Sequence, residues 1–293
     1  MNYLVYFIKS KLQDKVNKVA NFDKQIEGFM KITLITAARN SAKTLPTAIE
    51  SVLGQQGVDL DYIVVDGAST DGTVELLKTY EPRFNGRMRW LSEPDKGMYD
   101  AINKGIKMAT SDIVGILNAD DVLTADDTLA HIAEKFNHVE HAEQVDCVYA
   151  DIRFVREGDS VEALRAAKTV RYYSARFWRP WMFRFAAMVP HPSFYVRREC
   201  FERLGNYSLD YKICFYFELE LRFLKLAKLR SRYLHECVVV MRMGGASTSG
   251  WKSNKKINEE DLKALRAHGI WSCLPLIYLK CLFKIWGFVF CWR

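Results

Sequence analysis

Two adjacent carboxylates, Asp120 and Asp121, follow a short apolar run from Asp112 to Leu117, separated from it only by Asn118 and Ala119. Carboxylate oxygens are hard ligands suited to Mg²⁺ or Mn²⁺, and Mg²⁺ is commonly held by one or two of them together with substrate phosphates. A strand that delivers acids to its own C-terminal end is therefore suited to hold a metal-diphosphate. Taken alone, the pair also fits a helix start, with Asp120 or Asp121 as the cap.

Three earlier apolar runs end in the same kind of residue. Ile32 to Ala38 runs into Arg39-Asn40, Tyr62 to Val65 into Asp66-Gly67-Ala68-Ser69-Thr70-Asp71-Gly72, and Met88 to Ser92 into Glu93-Pro94-Asp95-Lys96-Gly97. Any one of these reads as ordinary turn chemistry. Four strands in succession ending in acids or amides read as one site. A helical run from Met98 to Met108 follows the third. At about 100° per residue, Asp100, Asn103, Lys104 and Lys107 share its polar face, while Ile102, Ile106 and Ala109 lie opposite, against a sheet. Lys96 and Lys104 are placed to neutralise phosphate.

These groups need a scaffold that brings strand ends to one edge. Helical patterns alternate with the strands: Thr44 (as a cap) to about Gln55, Thr73 to Tyr80, Met98 to Met108 and about Asp126 to Phe136, followed by a strand from Cys147 to Asp151. Pro46 is tolerated in the first turn of its helix. Near-continuous apolar strands alternating with helices predict an α/β fold with a mainly parallel central sheet and helices on both faces. Ligands bind beyond the C-terminal strand ends of such sheets.

The 293 residues allow one large domain or two small ones, and 49% hydrophobic content suffices for a substantial core. A net charge of +7 without a basic cluster does not indicate nucleic acid; an anionic substrate or an anionic membrane surface fits it. The seven cysteines are widely spaced with no C-x-x-C pair, which argues against a zinc site and suits reduced thiols in the cytoplasm.

The motifs Thr33-Leu-Ile-Thr-Ala-Ala-Arg-Asn40, Val64-Val-Asp-Gly-Ala-Ser-Thr-Asp-Gly72, Glu93-Pro-Asp-Lys-Gly-Met-Tyr-Asp-Ala-Ile-Asn-Lys-Gly105 and Leu117-Asn-Ala-Asp-Asp121 together resemble the family 2 glycosyltransferases of GT-A fold. His191-Pro-Ser-Phe194 and Met243-Gly-Gly-Ala-Ser-Thr248 extend the resemblance across residues 31–250, toward non-processive bacterial enzymes of exopolysaccharide synthesis of the colanic-acid type. The resemblance implies transfer of one sugar, with inversion, from a nucleotide-diphosphate sugar to a glycan or polyprenyl-lipid-linked acceptor. It assigns Ala37, Arg39, Asn40 and Asp66 to the base and ribose of the donor, and puts Asp95 and Lys96 near the nucleotide; Asp100 and Asn103, on the polar helix face that follows, join them unless that face is simply solvated. Asp120 and Asp121 would hold Mn²⁺ or Mg²⁺, with Asn118 standing where the family has its first Asp. His191 would contact the diphosphate or acceptor, or else be a hydrogen-bonded core histidine.

The base that deprotonates the acceptor is an Asp in the family, and its position here is Tyr216. A tyrosine, with a reference pKa of about 10, is a poor base at neutral pH. Glu218 points about 200° away on a helix, whereas Glu220 shares the face of Tyr216 one turn on. Both glutamates also fit ordinary pairing with Arg222 or Lys225. The chain is thus expected to be an active transferase, or a nucleotide-sugar-binding homologue impaired in catalysis. The Gln-x-x-Arg-Trp signature of processive synthases is missing at Arg89-Trp90.

The flanks differ from this core. Residues 1–30 form a lysine-rich N-terminal extension, read either as a surface helix or as sequence upstream of a start at Met30. Residues 251–293 form an aromatic, basic tail too interrupted to span a bilayer, which suits an interfacial amphipathic helix at the inner face of the cytoplasmic membrane. Arg176-Phe-Trp-Arg-Pro-Trp-Met-Phe-Arg184 mixes aromatics with arginines and suits an interfacial or acceptor-side loop, unless Trp178 and Trp181 pack in the core.

Overall fold

The computed structural model describes residues 30–137, 144–211, 214–244 and 250–280. The expectations for residues 1–29, for Lys212-Ile213, for the stretch that ends at Thr248 and for the last residues of the tail lie outside these.

Strands β1 (Lys31–Ala38), β2 (Asp59–Asp66), β3 (Met88–Ser92) and β4 (Ile113–Ile116) lie in parallel in the order β3-β2-β1-β4. Ala38 pairs with Asp66, and Asp66 with Ser92, so three strands finish level at one edge. The connecting helices are α1 (Leu45–Leu53), α2 (Thr73–Tyr80) and α3 (Met98–Met108). Alternate strand residues face opposite sides. Leu34, Tyr62 and Val64 pack with Leu45, Ile49 and Val52 of α1, while Ile35, Ile63 and Val65 pack with Tyr99, Ile102 and Ile106 of α3. Burial on both faces explains the unbroken apolar runs.

Helix α3 lies tight on the sheet at Gly105, where a Cβ would come within 2.5 Å of Ile35 Cγ2. Its apolar face is buried as its spacing requires. The cap at Thr44 does not form: its side chain caps nothing, and the turn closes instead through the Thr44 and Leu45 N–H groups donating to the Ser41 carbonyl at 3.0 and 2.9 Å.

Past β4 the order departs from the simple parallel series. Strand β6 (Cys147–Val155) is not a neighbour of β4. The three-residue β8 (Tyr195–Arg197) inserts between them, antiparallel to both. Strand β9 (Ser231–Arg242) then runs parallel to β6 and antiparallel to the short β5 (Val122–Leu123), and β7 (Arg171–Tyr173) adds to β6. The sheet is mixed, with the long pairings parallel.

Helices α4 (Thr128–Asn137), α5 (Val161–Ala166) and α6 (Arg198–Leu204) flank this half. Helix α7 (Phe215–Glu220) continues into a π turn at Leu221–Leu226, and α8 (Gly250–Ala267) and α9 (Leu274–Tyr278) follow β9. Leu262, Leu265 and Ile277 join the core on the α3 side. No helix among the described residues is long and apolar enough to cross a membrane.

Candidate active site

The level ends of β1 and β2 are knitted into one surface by short polar side chains. Asn40, in a left-handed conformation, donates its N–H to Ser69 Oγ at 2.7 Å and accepts from the Thr70 N–H at 2.9 Å through Oδ1. The Ser41 N–H reaches Thr73 Oγ1 at 3.0 Å, and the Ala42 N–H reaches Asp71 Oδ2 at 2.9 Å. Asp66 is fully buried and accepts from the Ser69 N–H (3.0 Å), the Ser69 hydroxyl and the Ser92 hydroxyl (2.7 Å). It organises the loop as well as ending the strand. Ala37 is partly buried, and Arg39 and Asn40 are exposed at this edge.

The β3 end closes the same edge. A Cβ on Gly67 would lie 2.2 Å from Asp95 Oδ2 and 3.4 Å from Arg39 Cδ, so any side chain at position 67 would displace the Asp95 carboxylate from the β2 end. Asp95 accepts from the Gly97 N–H at 2.8 Å, and Asp100 from the Lys96 N–H at 3.0 Å. The Lys96 side chain is exposed. Lys104, expected to face phosphate, is drawn to Glu93 (2.8 Å), Asp100 (3.7 Å) and the Pro94 carbonyl (2.8 Å). Asn103 clamps the backbone of Tyr207, donating to its carbonyl at 2.9 Å and accepting from its N–H at 3.0 Å. Arg89 and Trp90, outside the edge, pair with Asp61 and Glu81.

At the β4 end, Asp121 is buried and Asp120 partly exposed. Asn118 Nδ2 donates to Asp121 Oδ2 at 2.7 Å, and the Arg242 N–H donates to Asp121 Oδ1 at 3.3 Å. Arg242 closes the corner through its guanidinium, donating to the Asp120 carbonyl (2.9 Å), the Gly158 carbonyl (2.9 Å) and Thr47 Oγ1 (3.1 Å). Burial, with the Asp120 charge adding to it, pushes the Asp121 carboxyl well above its ordinary range. Asp120 is raised by burial and partly relieved by Arg242. No described side chain bonds to the Asp120 carboxylate. Two adjacent acids in a partly desolvated corner fit a divalent cation shared with a diphosphate. Among the described residues no three His, Cys, Asp or Glu side chains gather to hold a metal alone, so the remaining ligands would come from substrate and water.

Helix α7 brings Tyr216 toward this corner. Tyr216 is partly exposed and tilts against the His191 ring, with centroids 4.5 Å apart. Burial raises its phenol pKa. Glu218 is buried away from the corner, held by Arg222 Nε at 2.9 Å and His268 Nε2 at 3.0 Å, so it is a structural acid. Glu220 is completely buried. Its Oε2 accepts from the Val189 N–H at 3.1 Å, and its Oε1 lies 3.6 Å from His191 Nδ1. Neither Oε1 nor Nδ1 has a hydrogen-bond partner. Burial holds the His191 pKa down at about 3 and pushes Glu220 well above its usual range, which favours the uncharged form of each. His191 Nε2 meets the Tyr207 hydroxyl at 3.2 Å. His191 and Glu220 thus lie beneath the site surface, behind Tyr216.

Two groups escaped sequence reasoning. Arg242 acts through its backbone as much as its charge, and its only sequence signal is its place just before Met243-Gly-Gly. Asp151, buried on β6, gathers the Tyr172 hydroxyl (3.0 Å), the Tyr233 hydroxyl (2.8 Å) and the Ala175 N–H (2.7 Å). Only its position at the end of an apolar run marked it.

The pattern described as Glycosyl transferase family 2 matches residues 33–205. A "PGL/p-HBAD biosynthesis glycosyltransferase" of Mycobacterium bovis (strain BCG / Pasteur 1173P2) is 29% identical over 233 residues, 80% of this chain and 83% of the relative. An "Uncharacterized glycosyltransferase Rv1514c" of Mycobacterium tuberculosis is 36% identical over 35% of this chain and 38% of its own. In fold, the chain is similar to the mannosyltransferase PcManGT of Pyrobaculum calidifontis, solved with GDP-Man and Mn²⁺ (TM-score 0.59, 20% identity, 90% of this chain and 73% of that one). It is also similar to S. aureus TarS 1-349 in complex with UDP-GlcNAc (TM-score 0.54, 15% identity, 80% and 66%), and it spans 40% of a longer TarS chain. The curated relatives carry a PGL/p-HBAD name rather than a colanic-acid one, which leaves the family, and not that branch, as the shared ground. The chain belongs to glycosyl transferase family 2 and is a glycosyltransferase of GT-A fold.

Proposed function

We propose that this enzyme transfers one glycosyl unit, with inversion, from a nucleotide-diphosphate sugar to a glycan or lipid-linked acceptor in bacterial surface-glycan synthesis. The observation that carries the reading is the Asp120–Asp121 corner, locked by Asn118 and Arg242 beside the level ends of β1, β2 and β3 and faced by Tyr216. Solved GT-A relatives with GDP-Man and Mn²⁺, and with UDP-GlcNAc, support the donor class.

In this reading Asn40, Asp66, Arg39 and Asp95 line the nucleoside end, and Asp120 and Asp121 hold Mn²⁺ or Mg²⁺ at the diphosphate. The bound cation would supply Lewis-acid stabilisation of the leaving diphosphate. The acceptor hydroxyl oxygen forms the new bond to the anomeric carbon as the bond from that carbon to the diphosphate oxygen breaks. The electron pair leaves with the nucleoside diphosphate, and the hydroxyl proton goes to a base. A protonated phenol at Tyr216 does not accept that proton at neutral pH.

That last point favours a second reading, a nucleotide-sugar-binding homologue that transfers slowly. One experiment separates them. UDP-, GDP- and TDP-sugars are screened for Mn²⁺-dependent binding and then for turnover. Binding with turnover supports the enzyme, binding without turnover supports the impaired homologue, and no binding to any donor removes both.

A further inference from the structure

We propose that the 3₁₀ turn Pro180–Phe185, the π turn Leu221–Leu226 and the segment around Trp271 form one docking face for an anionic bilayer surface. Trp181, Arg184, Phe185, Lys225, Trp271 and Leu276 line a single groove of about 490 Å³ there. Trp178, just before this turn, is core, with its indole N–H donated to the Ala187 carbonyl at 3.0 Å. Trp181 and Trp271, by contrast, stand 56% and 70% exposed, with Phe177 at 78% nearby in sequence. Two indoles left in water beside cationic side chains match the aromatic-plus-basic belt of a membrane–water interface. Ser272 Oγ donates to the Arg184 carbonyl at 2.6 Å, and Lys280 pairs with Asp261 at 2.7 Å, so the face is held as a unit.

Charge selects the occupant. The three segments that line the groove come from stretches 163–198, 221–235 and 262–293, and none of these contains an aspartate or glutamate. A second copy docked face to face would set cationic surface against itself. The chain's own last residues, 281–293, carry Lys284 and Arg293 and no acid, so they do not neutralise the face either. Anionic phospholipid headgroups supply both the missing charge and an apolar layer for the rings. Helix α7 runs from Tyr216 directly into the π turn that carries Lys225, so one continuous helical segment links the docking face to the candidate transfer site.

The proposal gives a physical seat to the lipid-linked-acceptor reading above, and its test uses no sugar, so each is judged separately. The full chain is sedimented with vesicles of phosphatidylcholine alone and with vesicles in which a quarter of the lipid is phosphatidylglycerol. Binding only to the anionic vesicles is expected. It falls at least tenfold in the Trp181→Ala/Trp271→Ala variant and in Arg184→Gln/Lys225→Gln, while Mn²⁺-dependent nucleotide binding, measured on the same samples as a check of folding, is unchanged. The proposal is overturned if wild type ignores anionic vesicles, or if both variants bind them like wild type. It is equally overturned if lipid-free protein forms a concentration-dependent dimer that Trp271→Ala abolishes.

Discussion

The acidic corner and the pocket behind Tyr216 both bury a carboxylate, and burial raises the pKa of each. Their surroundings differ. Asp121 has a second acid beside it, an arginine across it and a partly exposed neighbour opening to the edge. Glu220 has one backbone donor, an uncharged histidine and a wall of aromatic rings. The first arrangement concentrates negative charge where a cation and a diphosphate can enter. The second holds its carboxyl away from solvent. A buried acid with a raised pKa is therefore not enough to name a catalytic group: what matters is whether the acid opens to the site or is sealed behind it.

Removing the open acid should have the largest effect. Asp120→Ala is expected to lower sugar transfer by about 10³-fold with an unchanged fold, read by turnover beside circular dichroism. Unchanged turnover would erase the distinction between corner and pocket. The next largest effect is a gain. Tyr216→Asp puts a carboxylate in the gap between the two regions, and about 10²-fold faster transfer is expected if the missing base is what limits this chain. No gain at equal donor affinity would mean that the base sits elsewhere.

Arg242→Ala tests how firmly the corner is held. It removes three guanidinium bonds and should cost about 2 kcal/mol of stability, measured by urea unfolding, together with most Mn²⁺-dependent donor binding. The smallest expected effect belongs to the sealed pocket. Because the folded pKa of Glu220 is raised above its ordinary 4.5, the stability it contributes is complete below about pH 4.5 and is lost as pH rises toward the folded value. Glu220→Gln keeps the shape and removes the ionisation. It should raise stability near neutral pH by about 1 kcal/mol and flatten the decline above pH 4.5. His191, held neutral, works in the other direction: its contribution is present above about pH 6.5 and lost as pH falls toward 3. That acid-side decline should persist in the Gln variant.

The open region was far more legible in the sequence than the sealed one. Strands β1, β2 and β4 are buried on both faces and read as largely apolar runs, and parallel register brings the polar termini of β1, β2 and β3 level. The spacing of α3 put Ile102 and Ile106 inward because one helix face meets a flat sheet. Strand β8 left no such trace. Three residues carry no period, and their antiparallel insertion depends on contacts with β4 and β6 far away in sequence. Glu220 and Tyr216 both lie against His191. Helical spacing, however, states direction and not depth, so it did not reveal that one side chain reaches the edge and the other is sealed. Trp178 and Trp181 show the same limit, one in the core and the other in solvent.

The bond from the Arg242 N–H to Asp121 joins residues 121 positions apart. On a translating ribosome, at about 5–20 residues per second, the two partners emerge roughly 6–24 s apart. During that interval β1 to β4 and their helices are already available to pair locally, while the acid pair lacks its lock. Assembly of the metal corner therefore waits on β9, and a message cut short before it yields a chain whose acid pair lacks the Arg242 lock.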